Sequence, residues 1–142
     1  MTLYLIVRVA AETVALPAVN VASVVEVDAV APVPLVAPHV AGLFALRSRV
    51  LTVIDTRASL QLGSIDLAGD MKAVIVEHDG HSYALLVDEI EDVVEGSAAD
   101  SCPALIGSAW QRATLGTIPH EGRALLLLSP AALVAGPDQL AA

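Results

Sequence analysis

Cysteine occurs once in this 142-residue chain, at Cys102, and lysine once, at Lys72, while Phe, Trp and Tyr together make up 3% of it. Each scarcity excludes something. A single thiol forms no internal disulfide and no cysteine cage for zinc. It suits a reducing compartment, the cytoplasm. The shortage of basic residues leaves a net charge of −9 and a pI near 4.6. A surface of that sign does not displace counterions from nucleic-acid phosphates, and it does not settle on an anionic membrane. With few aromatics, Val, Leu, Ile and Ala must build the core. The opening residues Met1–Val9 also lack a basic leader and a small-residue cleavage site.

Apolar residues are what the chain has in excess, at 56%. A chain this short does not hide that much apolar surface in one core, so part of it is expected to face a partner. From Ala29 to Leu46 there is no Asp, Glu, Lys or Arg, a length near the minimum for a membrane span. Pro32, Pro34, Pro38 and Gly42 fall inside this stretch. They would break a helix, so the stretch reads as a loop and not as a membrane insertion.

Local patterns are mostly those of strands. Leu3–Val9 is an apolar run interrupted only by Arg8. Glu12-Thr13 reads as a turn, Val14–Leu16 as a short strand, and Pro17–Val21 as one helical turn. Val24–Asp28 alternates as a half-buried strand does, and Val50–Ile54 is a β-branched run. Gln61–Asp70 reads as a loop and as the best candidate linker. Ala73–Val76 and Ser82–Val87 flank His78-Asp79-Gly80-His81, a strong hairpin signal. Ile90–Val94 and Ala124–Leu128 read as further strands, and Ser97–Gly107 as a loop. Ser129-Pro130 opens a last short helix over Ala131–Ala135. Short strands spaced about 8–12 residues apart predict a mainly β fold, a sandwich or small barrels.

Residues that could carry chemistry do not converge. Asp88, Glu89, Glu91, Asp92 and Glu95 could bind a hard cation. In an alternating strand, however, Asp88 and Asp92 share one face and the glutamates the other, which describes a solvated strand face. His78 and His81 lack a third metal ligand, so no metal site is expected. No nucleophile elbow, phosphate loop or dinucleotide fingerprint is present. Cys102 has no basic neighbour to activate it. The chain carries no catalytic constellation.

Arginine is the exception. Arg47, Arg49 and Arg57 are half of the chain's arginines and flank one apolar strand. Arg is enriched in binding hot spots. Arg47 ends the apolar run Gly42-Leu43-Phe44-Ala45-Leu46 and is the candidate for binding, while Arg57 reads as structural, paired with an acid such as Asp55.

At these residues the chain resembles the CheW-like domain family, almost end to end. The family's stretch G-x-x-N-L-R-G-x-x-x-P-V-x-D-L-R is similar to Gly42 through Arg57, with Gly42, Leu46-Arg47, Asp55 and Arg57 in place. Ala15-Leu16-Pro17 with Val21 and Val24 looks like its A-L-P-x-x-x-V-x-x-V. Pro34, Pro38 and Val40 fit its proline-rich approach. Val87-Asp88-Glu89-Ile90-Glu91-Asp92-Val93 resembles V-D-x-V-x-D-V, and Gly116, Gly122-Arg123 and the run to Leu128 its last strands. Departures fall at Ala45, Ser48, Thr52 and Thr56, at Ala22-Ser23 where the family has Arg-Glu, and at Ser129 where it has Asp.

The resemblance implies one domain over 1–142 made of two intertwined five-stranded SH3-like β-barrels with short helices. One barrel would take 14–60 plus 124–136, and the other 2–10 plus 70–123. It implies no cofactor and no enzymatic activity. It implies a chemotaxis adaptor, cytoplasmic and at membrane-associated receptor arrays, that couples the cytoplasmic tip of a chemoreceptor to the regulatory domain of a histidine kinase. By position, the receptor groove would include Val21, Ser23, Arg47, Ile90 and Val93, with Gly42, Leu46, Asp55 and Arg57 as the structural motif. Two other roles stay open: an adaptor for a kinase controlling pili or development, and a barrel that carries a hydrophobic ligand.

Overall fold

The computed structural model describes residues 2–34, 36–63, 71–96 and 108–136. The first sheet begins with β1 (Thr2–Val9) and β2 (Glu12–Pro17). A 3₁₀ turn, Ala18–Asn20, carries the chain into the second sheet. That sheet takes β3 (Val21–Val27), β4 (Val40–Leu46), β5 (Arg49–Asp55), β6 (Met71–His78) and β7 (His81–Val87). The chain then returns to the first sheet through β8 (Glu89–Gly96), β9 (Thr114–His120) and β10 (Arg123–Leu128). Three short helices complete it: α1 (Thr56–Ser59), α2 (Ser108–Ala113) and α3 (Pro130–Ala135). Strand order is β8-β1-β2-β10-β9 in the first sheet and β3-β6-β7-β5-β4 in the second. This divides the chain differently from the expected partition. The hairpin β6–β7 belongs with β3–β5, and β2 belongs with β1.

The burial pattern explains why. Along β1, Tyr4 and Ile6 face one way while Leu5 and Val7 face the other, and all four are buried. The same holds for Ala73 and Ile75 against Val74 and Val76 in β6. A strand buried on both faces reads as a continuous apolar run. Tyr4, Ile6, Ala15, Ile118, Leu125 and Leu127, with Val94, fill the inside of the first sheet, drawing on all five of its strands. Val27, Phe44, Leu51, Val53, Ile75 and Leu86 do the same for the second. Each sheet therefore curls around its own core as a barrel. A third layer lies between them: Leu5, Val7, Val9, Val14, Leu16 and Leu128 meet Ile54, Val74, Val76, Leu85 and Val87. Leu60, Ala113 and Leu133 from the helical segments seal it.

Turn chemistry is partly local. Asp79 and Gly80 take φ of 52° and 78°, as a two-residue hairpin demands. The first turn falls at Ala10-Ala11, with φ of 53° and 68°, and not at Glu12-Thr13. Pairing of Val9 with Glu12 buries Val9 and Val14, and that burial outweighs alanine's reluctance to take positive φ. α3 starts as expected, its amide at Ala132 donating to the Ser129 hydroxyl at 3.2 Å. α1 and α2 were not foreseen as elements, and β9 only through the likeness of Gly116 to the family's last strands. The expected loop at Ser97–Gly107, with Cys102, lies outside the described residues, as does most of Gln61–Asp70.

Ala29–Leu46 is not all loop. Its last seven residues form β4, an edge strand paired with β5. The prolines stay upstream, where no ladder needs their missing donors. His39, buried at the entry to β4, donates from Nε2 to the Val134 carbonyl at 2.8 Å and so ties the strand to α3. No helix among the described residues is long and apolar enough to cross a membrane. Gly42 has a definite reason to be glycine. Ala31 bridges to Leu43 beside it, and a Cβ at Gly42 would lie 2.2 Å from the Ala31 carbonyl oxygen, at a φ of 151°. Gly42→Ala should therefore cost about 2 kcal/mol or more, from overlap and backbone strain together. Urea unfolding of both proteins checks this, and a loss under about 0.5 kcal/mol, typical of an indifferent surface change, would contradict it.

Candidate functional site

β3 and β8 are edge strands of the two sheets, and each turns one face to the layer between the barrels. In β3, Val21 pairs with Val76 and Val24 with Val74, so both stand on the side facing that layer. In β8, Ile90 pairs with Val7 and Val93 with Leu5, which places them on the same layer from the other barrel. Val21 and Ile90 pack directly against its buried cluster. Beyond them the layer runs out into solvent: Leu3, Val24 and Val93 are 47%, 46% and 54% exposed. Apolar side chains of both edge strands thus continue the inter-barrel core into solvent. Val19, on the 3₁₀ turn that precedes Val21, adds another exposed apolar side chain.

Ion pairs fasten the crossover at the start of β8. Lys72 on β6 pairs with Glu89 on β8, joining the two barrels at one end of the groove. Arg57 donates to both oxygens of Asp88, from Nε at 3.2 Å and from Nη2 at 2.6 Å. Arg8 meets Glu91 at 2.7 Å. The Asp88 amide also donates to the Arg8 carbonyl at 2.8 Å. The expected solvated acidic face is thus half right. Glu91, Asp92 and Glu95 are exposed, but three acids of the cluster hold cations. A register shift between Ile6 and Val7 also breaks the strict alternation expected of β8.

The structural role expected of Arg57 stands, with a different partner: its pair is Asp88. Asp55 instead caps α1, accepting from the Ala58 amide at 3.1 Å. The hydrogen bond to Asp88 raises the Arg57 guanidinium above its already high ordinary value, against a smaller opposing effect of burial.

The five residues expected to form one groove divide between two openings. Val21, Ile90 and Val93 lie on the inter-barrel groove. Ser23 and Arg47 line the mouth of the second barrel, with Ala22, Val25, Leu46 and Leu51 among their neighbours. The split follows from β3. A register shift between Val21 and Ser23 turns Ser23 toward Ile75 and the barrel interior, while Val21 and Val24 look outward. Arg47 and Ser48 form the two-residue turn between β4 and β5, and it is Arg47, not Ser48, that takes the positive φ, 58°. Leu3 and Val24 complete the groove and were not singled out from the sequence. Assigning faces along β3 from its hydrophobic pattern required the shift at Ala22, which leaves no sequence signal. Among the described residues no group of three or more His, Cys, Asp or Glu is placed to hold a metal ion.

With two curled five-stranded sheets and this groove in view, comparison with known proteins is direct. A sequence model of the CheW-like domain matches residues 3–137. The chain belongs to the CheW-like domain family. The crystal structure of the scaffolding protein TtCheW from Thermoanaerobacter tengcongensis superimposes with a TM-score of 0.77 at 20% sequence identity, covering 89% of this chain and 88% of that one. That similarity establishes the CheW-like fold. No curated protein matches the sequence.

The Lys72–Glu89 pair makes a pH prediction. The hydrogen bond from Lys72, then its charge, hold the Glu89 carboxyl below the ordinary glutamate range. A lowered carboxyl contributes stability above its unfolded value and loses it as pH falls through the folded value. Both groups are solvated, so the contribution to stability is small. NMR titration should find Glu89 protonating below the usual range, and Lys72→Met should move it back up. An unchanged Glu89 titration in the variant would mean the pair does not form.

Proposed function

We propose that this CheW-like chain is a chemotaxis-type coupling adaptor that works by affinity and not by chemistry. On this reading the groove between β3 and β8 receives the helical tip of a chemoreceptor, and another face binds the regulatory domain of a histidine kinase. The observation that carries it is the exposed margin of the inter-barrel layer. Leu3, Val24 and Val93 continue a buried core into water, where an apolar surface is stable only if something covers it. Burial of a valine or leucine side chain contributes about 1.5–3 kcal/mol, so three or four of them suffice for a specific, reversible contact. Because both partners hold one rigid body, a change in receptor geometry reaches the kinase through shared contacts. Serine at position 23, in place of the family's glutamate, favours a divergent partner set, including a kinase with an output other than chemotaxis.

Pull-down from native lysate, with Val24→Glu and Val93→Glu as groove variants and Arg47→Ala at the barrel mouth, tests this. Each glutamate should weaken receptor capture at least about tenfold, the equivalent of about 1.4 kcal/mol, while circular dichroism stays unchanged. Recovery of a kinase without receptors would assign the chain to another pathway. If neither is captured by the folded wild-type protein, the coupling role fails.

A further inference from the structure

The mouth of the second barrel is a separate opening from the groove. It sits where β3 and β4, the two edges of one sheet, approach without a ladder between them. Its volume is about 280 Å³. The floor is apolar, made by Val25, Leu46, Leu51 and Ile75. The rim is the opposite: Arg47 and Arg49 with the hydroxyls of Ser23, Ser48 and Ser82. Among the described residues no aspartate or glutamate lines it, although the chain has 16 acidic residues against 7 basic.

The two arginines here share with Arg112 and Arg123 the lack of an ion pair among the described residues, but they alone stand together on one pocket rim. Arg8, Arg57 and Lys72 each hold a carboxylate. Neither Arg47 nor Arg49 has one among the described residues. Arg49 Nη2 donates to Ser82 Oγ at 2.5 Å, which fixes the guanidinium on the rim. Arg47 sits at a φ of 58°, a conformation glycine would adopt at no cost. The turn it makes between Leu46 and Arg49 holds its side chain at the rim of the mouth.

We infer that this mouth binds an amphipathic anion, a carboxylate carried on a short apolar body. The planar fork of a guanidinium matches a carboxylate with two parallel hydrogen bonds. The hydroxyls complete the shell, and the valine, leucine and isoleucine floor takes the hydrocarbon. The volume lies just under the usual range for small ligands, about 300–1,000 Å³, which suits a short chain and excludes a long lipid. The carboxylate comes from one of two sources: a free short-chain acid, or an acidic side chain beside an aliphatic one on a partner protein. The inference stands apart from the coupling role, because none of the groove's apolar residues line this mouth.

Titration of the full ¹⁵N-labelled chain with sodium hexanoate, followed by NMR, tests it. The amides of Ser23, Val25, Ser48, Leu51, Ile75 and Ser82 should shift saturably. Hexylammonium chloride, equal in chain length and opposite in charge, should leave them in place. Blocked acetyl-Leu-Glu-amide separates the sources: tighter binding than hexanoate assigns the site to a partner side chain, and weaker binding assigns it to a free acid. The double variant Arg47→Gln/Arg49→Gln should weaken hexanoate at least about tenfold, as loss of a charge-assisted hydrogen bond does. Both residues are exposed, so an otherwise unchanged spectrum will confirm that the variant is folded. The inference is overturned if neither carboxylate binds saturably, if hexylammonium produces the same shifts, or if the double variant binds hexanoate as well as the wild type does.

Discussion

The apolar layer between the two barrels is the constraint on which the rest of the molecule depends. Each barrel has its own small core, and small cores are marginal when alone. Leu5, Val7, Val14 and Leu16 on one side and Val74, Val76, Leu85 and Val87 on the other bury both outer faces at once. Chain connectivity reinforces this. The polypeptide crosses from the first sheet to the second and back, so the first barrel closes only around the segment that forms the second, and its two halves are held together across that insertion. The large apolar fraction follows directly. Three stacked layers use far more Val, Leu and Ile than the single core expected of a chain this length.

Where the layer ends, the candidate site begins. At the edge strands β3 and β8 the buried layer gives way to the exposed Leu3, Val24 and Val93. The groove is thus not an added feature but the unsealed margin of the same packing that holds the protein together. Lys72 and Glu89 fix the spacing of its two walls at one end, and Arg57 with Asp88 holds the crossover into β8. β3 has two duties because of its register shift. Val21 and Val24 serve the groove, while Ser23 and Val25 serve the mouth of the second barrel. Two openings of different chemistry, one apolar and one cationic, therefore share a single strand as wall.

Much of this was legible in the sequence. The strands buried on both faces announce themselves as β-branched runs, Asp79-Gly80 fixes a hairpin, and Ser129-Pro130 a helix start. The stretch from Gly42 to Arg57 suggested the family only together with the other motifs, in order and at the family's spacing. What was not legible depends on long-range pairing. Whether a strand joins one barrel or the other is decided by which partner completes a core, so β6 and β7 were placed wrongly although their hairpin was right. Arg57 was expected near Asp55, its neighbour in sequence, and found Asp88, which only the crossover brings within reach. Ala10-Ala11 has no turn signature and turns because Val9 and Val14 must both be buried. Val21, Ile90 and Val93 face the inter-barrel layer, while Ser23 and Arg47 line the mouth of the second barrel. Their division between two openings was hidden in one shifted register.

Native-state hydrogen exchange on the full chain, comparing the wild type with Val76→Ala, tests the central claim most directly. Val76 lies on the second sheet and is wholly buried in the shared layer. If that layer makes the two barrels one cooperative unit, the slowest amides of β1 and β2 will open at the same free energy as those of β6 and β7. The substitution will then lower both sets equally, by about 2 kcal/mol. Exchange at two distinct free energies, with the loss confined to β6 and β7, would contradict it. The barrels would then be independent modules, and the groove an accident of their contact.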